Sequence, residues 1–426
     1  MANHAFHKYA IECKNSLRRQ IKSCALWLRT PAVSRVKLIT ICLTVFGTLA
    51  SVSTASAENT DPSINEQVVM LPVVSNGSNL QLQTTIFKPP GTGPFPLLLM
   101  NHGKTLGAPA QQKRQRYLAM SREFVRRGYA VVVPMRKGFA KSDGPYDDLG
   151  CNMADNGQLQ ADDIEATLNA LVTHAWVDKQ RIVVAGESYG GLAALAFATR
   201  HYPGVKGIIN FSGGLKLNDP LCDWQESLIN AVASYGAQTT VPSIWFYGEN
   251  DRLFDQQLAK QLNFAYQTAG GSSQFIAFGK FKNDAHGMIF SHAGLPYWLN
   301  EVDRFLGSVS LPNSPIVSLA PPQKPSATQF AALEDTEAIP HLGAAGRAGY
   351  KDYLGKSSPR AFAISSSGAW SWAEDGDDPA ERALATCQKY SRSSCQLYSV
   401  DNEIVWGGTG ADEPSKLALY SGNLAN

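Results

Sequence analysis

An apolar run, Ile182-Val183-Val184-Ala185, leads straight into Gly186-Glu187-Ser188-Tyr189-Gly190-Gly191, and an Ala-rich stretch at 192–199 begins at once. G-x-S-x-G between a strand and a helix is the context in which a serine sits on a sharp turn with its hydroxyl pushed into the open. Gly186 and Gly190 lack the Cβ atoms that would collide in so tight a turn. The serine also lies at a helix N-terminus, where free N–H groups favour developing negative charge. A Gly-rich structural turn is the other reading of the bare motif, and the flanking strand and helix argue against it. Ser188 is the candidate nucleophile.

A serine hydroxyl attacks only once a base takes its proton. Six histidines follow residue 57. His102 precedes the motif, His174 and His201 fall at helix ends, and His341 lies in a Pro-rich stretch. His286, in Lys282-Asn283-Asp284-Ala285-His286-Gly287, follows a strand at 273–278 through a short polar loop. It is preferred over His292 because the base must sit on a loop at the carboxyl edge of the sheet. Asp251, after the aromatic strand ending Tyr247-Gly248-Glu249-Asn250, is the candidate orienting acid. Asp255 and Glu249 are the alternatives, and a helix N-cap before Phe254 is its non-catalytic reading. Attack on a carbonyl creates an oxyanion that needs donors placed in advance. The N–H of Tyr189 and that of Lys104, in Asn101-His102-Gly103-Lys104-Thr105, are expected to supply them, with the His102 side chain a structural hydrogen-bonder. No C-x-x-C or H-x-x-x-H spacing marks a metal site.

These residues need a scaffold. Apolar runs at 96–100, 130–134, 181–185, 205–211 and 242–247 read as buried parallel strands, and amphipathic stretches at 111–127, 160–174, 191–200 and 254–268 as the helices between them. Two earlier strands, 67–73 and 80–87, flank Ser75-Asn76-Gly77-Ser78, a hairpin signal. The pattern predicts an α/β fold, a mostly parallel sheet with helices on both faces, over 58–310.

Of 426 residues, 44% are hydrophobic and 17% charged, enough for a large core and too apolar for a disordered chain. The formal charge of +2 hides an asymmetry: residues 1–57 carry eight basic side chains against Glu12, which leaves −5 for 58–426. That balance argues against a nucleic-acid binder. The basic stretch precedes an apolar run at 38–52 and Ala55-Ser56-Ala57, the layout of a secretory signal with cleavage expected between Ala57 and Glu58. The run is short and Ser/Thr-bearing, so no stable membrane anchor is expected after cleavage. The expected location is periplasmic or secreted. Four cysteines then remain, Cys151, Cys222, Cys387 and Cys395, an even number that suits two disulfides in any of three connectivities.

From 311 to 348, six prolines among Ser, Ala and Gln suit an extended linker, or a strap lying over the main domain. A small α+β domain is expected at 349–426, with strands at 360–364, 369–373, 396–400 and 403–406. Asp378-Pro379-Ala380-Glu381 reads as a capping Asp, Pro at the first helical position and Glu at the third, opening a helix to about 390. Cys387 on that helix and Cys395 at the next strand are placed to staple a module too small to rely on its core. Trp370, Trp372 and Trp406 read as core aromatics, with a ligand face for an unknown partner as the alternative.

The loop Asn101-His102-Gly103, the strand entry Arg127-Gly128-Tyr129-Ala130-Val131, the elbow at 186–191, Tyr247-Gly248-Glu249-Asn250-Asp251 and Asp284-Ala285-His286-Gly287 together resemble the α/β-hydrolase superfamily and, more narrowly, its dienelactone hydrolase and prolyl-oligopeptidase-like catalytic domains. The resemblance covers about 67–310. It implies a serine hydrolase that cleaves a small-molecule ester, thioester, lactone or amide through an acyl-enzyme, without a cofactor. Dienelactone hydrolases use a cysteine where this chain has Ser188, and oligopeptidases carry a propeller that the few residues before the first strand here do not supply. A carboxylesterase is therefore the leading expectation. A peptidase or acyltransferase on the same triad, and an inactive hydrolase domain that binds through its C-terminal module, are the alternatives. Loops at 136–159 and 212–241 follow strands at the carboxyl edge, and a Cys151–Cys222 disulfide would tie them together. Arg136, Lys137 and Lys141 in the first of them read as a solvated face, or as a preference for an acidic substrate.

Overall fold

The computed structural model describes residues 59–407. The expected signal segment 1–57, with Cys13, Cys24 and Cys42, its cleavage site, and residues 408–426 lie outside the described residues.

The hairpin signal closes β1 (Gln67–Ser75) on β2 (Ser78–Phe87). Asn76 and Gly77 both take positive φ, 48° and 74°, in a two-residue turn whose twist suits the strands it joins. β3 (Phe95–Asn101), β4 (Ala130–Pro134), β5 (Val177–Glu187), β6 (Val205–Phe211), β7 (Ser243–Gly248) and β8 (Ser273–Phe278) complete one sheet, ordered β1-β2-β4-β3-β5-β6-β7-β8. The β1–β2 and β2–β4 pairs are antiparallel and the rest parallel, the architecture of the α/β-hydrolase fold.

Alternate residues of each strand serve two cores. Leu97, Leu99, Ile182, Val184, Ile208 and Trp245 pack on one side, under helices α2 (Met153–Leu171), α3 (Tyr189–Phe197), α4 (Trp224–Gly236) and α5 (Gln256–Thr268). Leu98, Met100, Val183, Ala185, Ile209 and Phe246 meet α1 (Leu118–Arg126) and α6 (Leu295–Ser308) on the other. Helices on both faces are why the strands read as unbroken apolar runs rather than as alternation. Each such side chain contributes about 1.5–3 kcal/mol when fully buried. The register sets Asn101 opposite Gly186, Glu187 opposite Phe211 and Gly248 opposite Phe278. The carboxyl ends of β3, β5, β6, β7 and β8 therefore line one edge, and the loops with the candidate residues leave from it.

Several expected boundaries shift. The helix expected over 111–127 is only α1, because the side chains before it make tertiary hydrogen bonds that override propensity: Gln112 reaches Thr105 and Gly103, and Arg114 and Arg116 reach Glu66. α2 starts at Met153, ahead of the expected 160, with the Asn152 side chain accepting from the Asp155 N–H. The loops at 136–159 and 212–241 thus each hold helix, and the Cys151–Cys222 disulfide joins the starts of α2 and α4.

Residues 311–343 contain no helix or strand and run against the body: the N–H groups of Ile316 and Val317 donate to the Arg126 carbonyl, the Tyr129 hydroxyl donates to the Pro312 carbonyl, and the Thr328 N–H donates to the Ile404 carbonyl. Beyond them, α7 (Ala344–Leu354), whose first residues lie within the expected linker, and α8 (Pro379–Lys389) pack on a second sheet of β9 (Arg360–Ser365), β10 (Trp370–Glu374), β11 (Cys395–Val400) and β12 (Glu403–Ile404), ordered β10-β9-β11-β12 and antiparallel throughout. Cys387 and Cys395 form the second disulfide. Trp406 is buried and Trp370 stacks on Phe362 in the module's core. One expectation fails here. Asp378 sits at φ 50° and does not cap α8, because its carboxylate turns to Arg116 instead.

The Cys151–Cys222 bond closes 71 residues of sequence. Replacing both cysteines by serine should lower the unfolding free energy by about 4 kcal/mol on chain-entropy grounds. Guanidinium titrations of the two proteins without reductant measure the difference.

Candidate active site

Ser188 follows β5 and opens α3 with φ 54° and ψ −122°, a conformation costly for any residue with a Cβ. Four backbone hydrogen bonds hold it: its N–H donates to the Phe211 carbonyl at 2.9 Å, and its carbonyl accepts from Gly191 at 2.9 Å, Leu192 at 3.2 Å and Gly214 at 3.0 Å. The glycines are steric necessities. A Cβ at 186 would lie 2.0 Å from the Gly190 carbonyl oxygen, and one at 190 would lie 2.1 Å from that of Asn101. Ser188 is 8% exposed.

His286 lies in a 3₁₀ turn, Ala285–Phe290, capped by Asp284: the His286 N–H donates to Asp284 Oδ1 at 3.0 Å. The imidazole Nδ1 meets both Asp251 oxygens, at 3.0 and 3.1 Å. Asp251 also accepts from the N–H groups of Leu253 and Phe254, so it turns the chain toward α5 and faces the histidine at once. Burial pushes the Asp251 carboxyl up, but the hydrogen bonds from His286 and from these two amides outweigh it and hold the pKa below its ordinary value. The alternatives are occupied elsewhere. Asp255 caps α5, Glu249 pairs with Lys280 at 3.4 Å, and His292 offers its backbone N–H to Asp375.

The other imidazole nitrogen has a partner that sequence reasoning missed. Nε2 lies 3.4 Å from Glu187 Oε1, and among the described residues no hydrogen bond joins it to Ser188 Oγ. Glu187, the buried residue just before the nucleophile, accepts at Oε2 from the Gly103 N–H at 2.9 Å and the Tyr117 hydroxyl at 3.1 Å. Burial would push the His286 pKa down, yet hydrogen bonding and charge from Asp251 and Glu187 win and raise it to about 10. The imidazole thus faces a carboxylate at each nitrogen. A carboxylate flanking the nucleophile is visible in the motif; its partners, 84 and 70 residues away, are not.

The β3 loop passes hard against the nucleophile. A Cβ on Gly103 would lie 2.4 Å from Glu187 Oε2 and 2.9 Å from Ser188 Cβ. Tyr189 opens α3, so its N–H belongs to the first turn that the helix leaves unused. The Lys104 N–H makes no hydrogen bond among the described residues, while its ammonium lies 4.5 Å from the Tyr146 ring centroid. His102 is structural: Nε2 accepts from the Arg136 N–H at 3.0 Å, which leaves the proton on Nδ1, 2.7 Å from the Gly103 carbonyl. Burial, and then the Arg136 charge, hold its pKa well below the ordinary value. Arg136 is not on a solvated face. It is wholly buried, with Nε on Gln160 and its guanidinium beside the Phe139 and Tyr189 rings, whereas Lys137 pairs with Asp147.

The sequence profile of the X-Pro dipeptidyl-peptidase (S15) family matches residues 77–269, a span with Ser188 and Asp251 but not His286. No curated protein matches significantly. Among solved structures, the chain is similar to a putative dienelactone hydrolase from Klebsiella pneumoniae (15% identity, TM-score 0.41, covering 57% of this chain and 98% of that one). It is similar also to a Pyrococcus furiosus esterase (16%, 0.45, 59% and 95%) and to Porphyromonas gingivalis dipeptidyl peptidase 4 (18%, 0.44, 57% and 35%).

A histidine must be neutral to act as a base, so turnover should climb with pH as the His286 cation, with its pKa near about 10, loses its proton. Glu187→Gln removes one of the two charges that hold this proton. The rising limb of kcat/KM should then move toward neutral pH by about 1–3 units. A limb that stays in place would count against a Glu187 contribution.

Proposed function

We propose that this chain, a serine hydrolase of the α/β-hydrolase fold, is an exported carboxylesterase that works through an acyl-enzyme. The observation that carries the reading is Ser188 at its positive-φ turn, on the same sheet edge as a His286–Asp251 pair at 3.0 Å. Substrate would approach as a neutral carbonyl. On losing its proton, His286 would release Glu187 and accept the proton of Ser188 Oγ as the hydroxyl attacks. Asp251 would keep Nδ1 protonated and stabilise the imidazolium that forms. The tetrahedral oxyanion would be received by the Tyr189 N–H, with the Lys104 N–H as second donor. Collapse expels the alcohol, which takes its proton from His286, and water repeats the sequence to free the acid. The two disulfides support an oxidising compartment, consistent with a periplasmic or secreted protein.

The S15 profile match favours a second reading on the same residues, removal of an X-Pro dipeptide from a peptide. A panel of p-nitrophenyl esters beside Gly-Pro-p-nitroanilide separates the two.

A fluorophosphonate probe should label Ser188 and nothing else in the chain. Ser188→Ala should abolish both labelling and ester turnover while its thermal unfolding stays within a few degrees of wild type. Asp251→Asn should keep KM and lose about 10⁴-fold in kcat through the wrong imidazole tautomer. An unlabelled, catalytically silent wild-type protein would leave the inactive binding-protein reading in its place.

A further inference from the structure

The small C-terminal sheet is joined to the candidate active site by one acidic loop, between β10 and α8. Asp377 replaces the missing cap of α1. The N-cap residue of that helix, Tyr117, has φ 48° and makes no capping bond of its own. Instead, the Asp377 carboxylate accepts from the backbone N–H groups of Arg116 at 2.9 Å, Tyr117 at 2.9 Å and Leu118 at 2.8 Å, from some 260 residues away. Backbone donors leading into the helix, with the Leu118 N–H among those that a helix start leaves orphaned, are thus satisfied by the other sheet's module. This fixes the Tyr117 side chain, whose hydroxyl donates to Glu187 beside the nucleophile and whose ring stacks on Phe290 at 4.9 Å, within the turn that carries His286.

Asp375 grips the same turn on both sides of the histidine. Its Oδ2 meets Lys282 Nζ, four residues before His286, and accepts from the Ser291 hydroxyl, five residues after it. Its Oδ1 accepts from the His292 N–H at 3.2 Å. The acidic loop is braced in turn from its own module, where Arg382 donates to the carbonyls of Glu374, Asp375 and Asp377. Asp378 is spent on Arg116 rather than on its own helix.

We propose that Asp375 and Asp377 are positioning residues of the hydrolase site: through them the C-terminal module sets the His286 turn and the Tyr117–Glu187 contact, so that it is a part of the catalytic apparatus and not an appended binder. The mechanism invoked rests on the esterase reading above; the clamp itself rests on the contacts.

Asp377→Ala, Asp375→Ala and the conservative Asp377→Asn, made in the full chain, test it. Loosening a base by a fraction of an ångström to an ångström should lower kcat and the rate of fluorophosphonate labelling together by about 10- to 100-fold for the two alanine variants, with KM within about twofold of wild type. Asp377→Asn, which keeps one acceptor oxygen, should recover most of the loss. Amide exchange in 282–292 should speed up in Asp375→Ala, and at the start of α1 in Asp377→Ala. If Asp377→Ala does not fold, Asp375→Ala and Ser291→Ala carry the test alone. Folded alanine variants with wild-type kcat, labelling rate and exchange would overturn the proposal. If wild type is unreactive toward ester and probe, the esterase reading falls, and the exchange measurement still decides whether the clamp exists.

Discussion

The turn at Ser188 is the constraint around which the rest is arranged. A side-chain-bearing residue at φ 54°, ψ −122° is unfavourable alone, and it persists because strand, helix and neighbouring loop all over-determine it. The register of β5 against β3 and β6 brings Asn101 and Phe211 alongside, and glycines at 186 and 190 let the backbones close to contact. Two covered faces of the sheet supply the burial that offsets this local cost.

Around that turn the two imidazole nitrogens are both engaged by carboxylates. His286 faces Asp251 with one nitrogen and Glu187 with the other, and both carboxylates are largely removed from water. Charge pairs in such a setting are stronger than at the surface, so the two carboxylates raise the imidazole pKa. Asp251 faces Nδ1, the side from which a general base would be oriented. Glu187 occupies the Nε2 side, and its other oxygen is shared by the Gly103 N–H and the Tyr117 hydroxyl.

The acidic loop between β10 and α8 shows why the two sheets belong to one compact unit. Carboxylates there satisfy backbone donors at the start of α1 and flank the His286 turn, while Arg127–Asp303 and Arg122–Asp61 pairs tie α1 to its other neighbours. Polar groups at this junction are matched donor to acceptor, as buried or half-buried groups must be.

Much was legible in the residues alone. Apolar runs marked the strands because both faces of the sheet are covered, Asn76-Gly77 marked the hairpin because few other pairs accept two positive φ angles, and Ser188 stood out because strand, glycines and helix converge on it. Asp251 and His286, singled out by their place after strands, lie within hydrogen-bond distance of each other. The early end of the expected helix at 111–117, the failure of Asp378 to cap α8, the burial of Arg136 and the partners of Glu187 were not legible. Sequence determined where the strands fall and on which loops the candidate side chains lie, since backbone propensity and hydrophobic period are local properties. Tertiary structure alone decided which carboxylate faces which donor, because a polar side chain has several possible partners and only the packed chain brings one of them within reach.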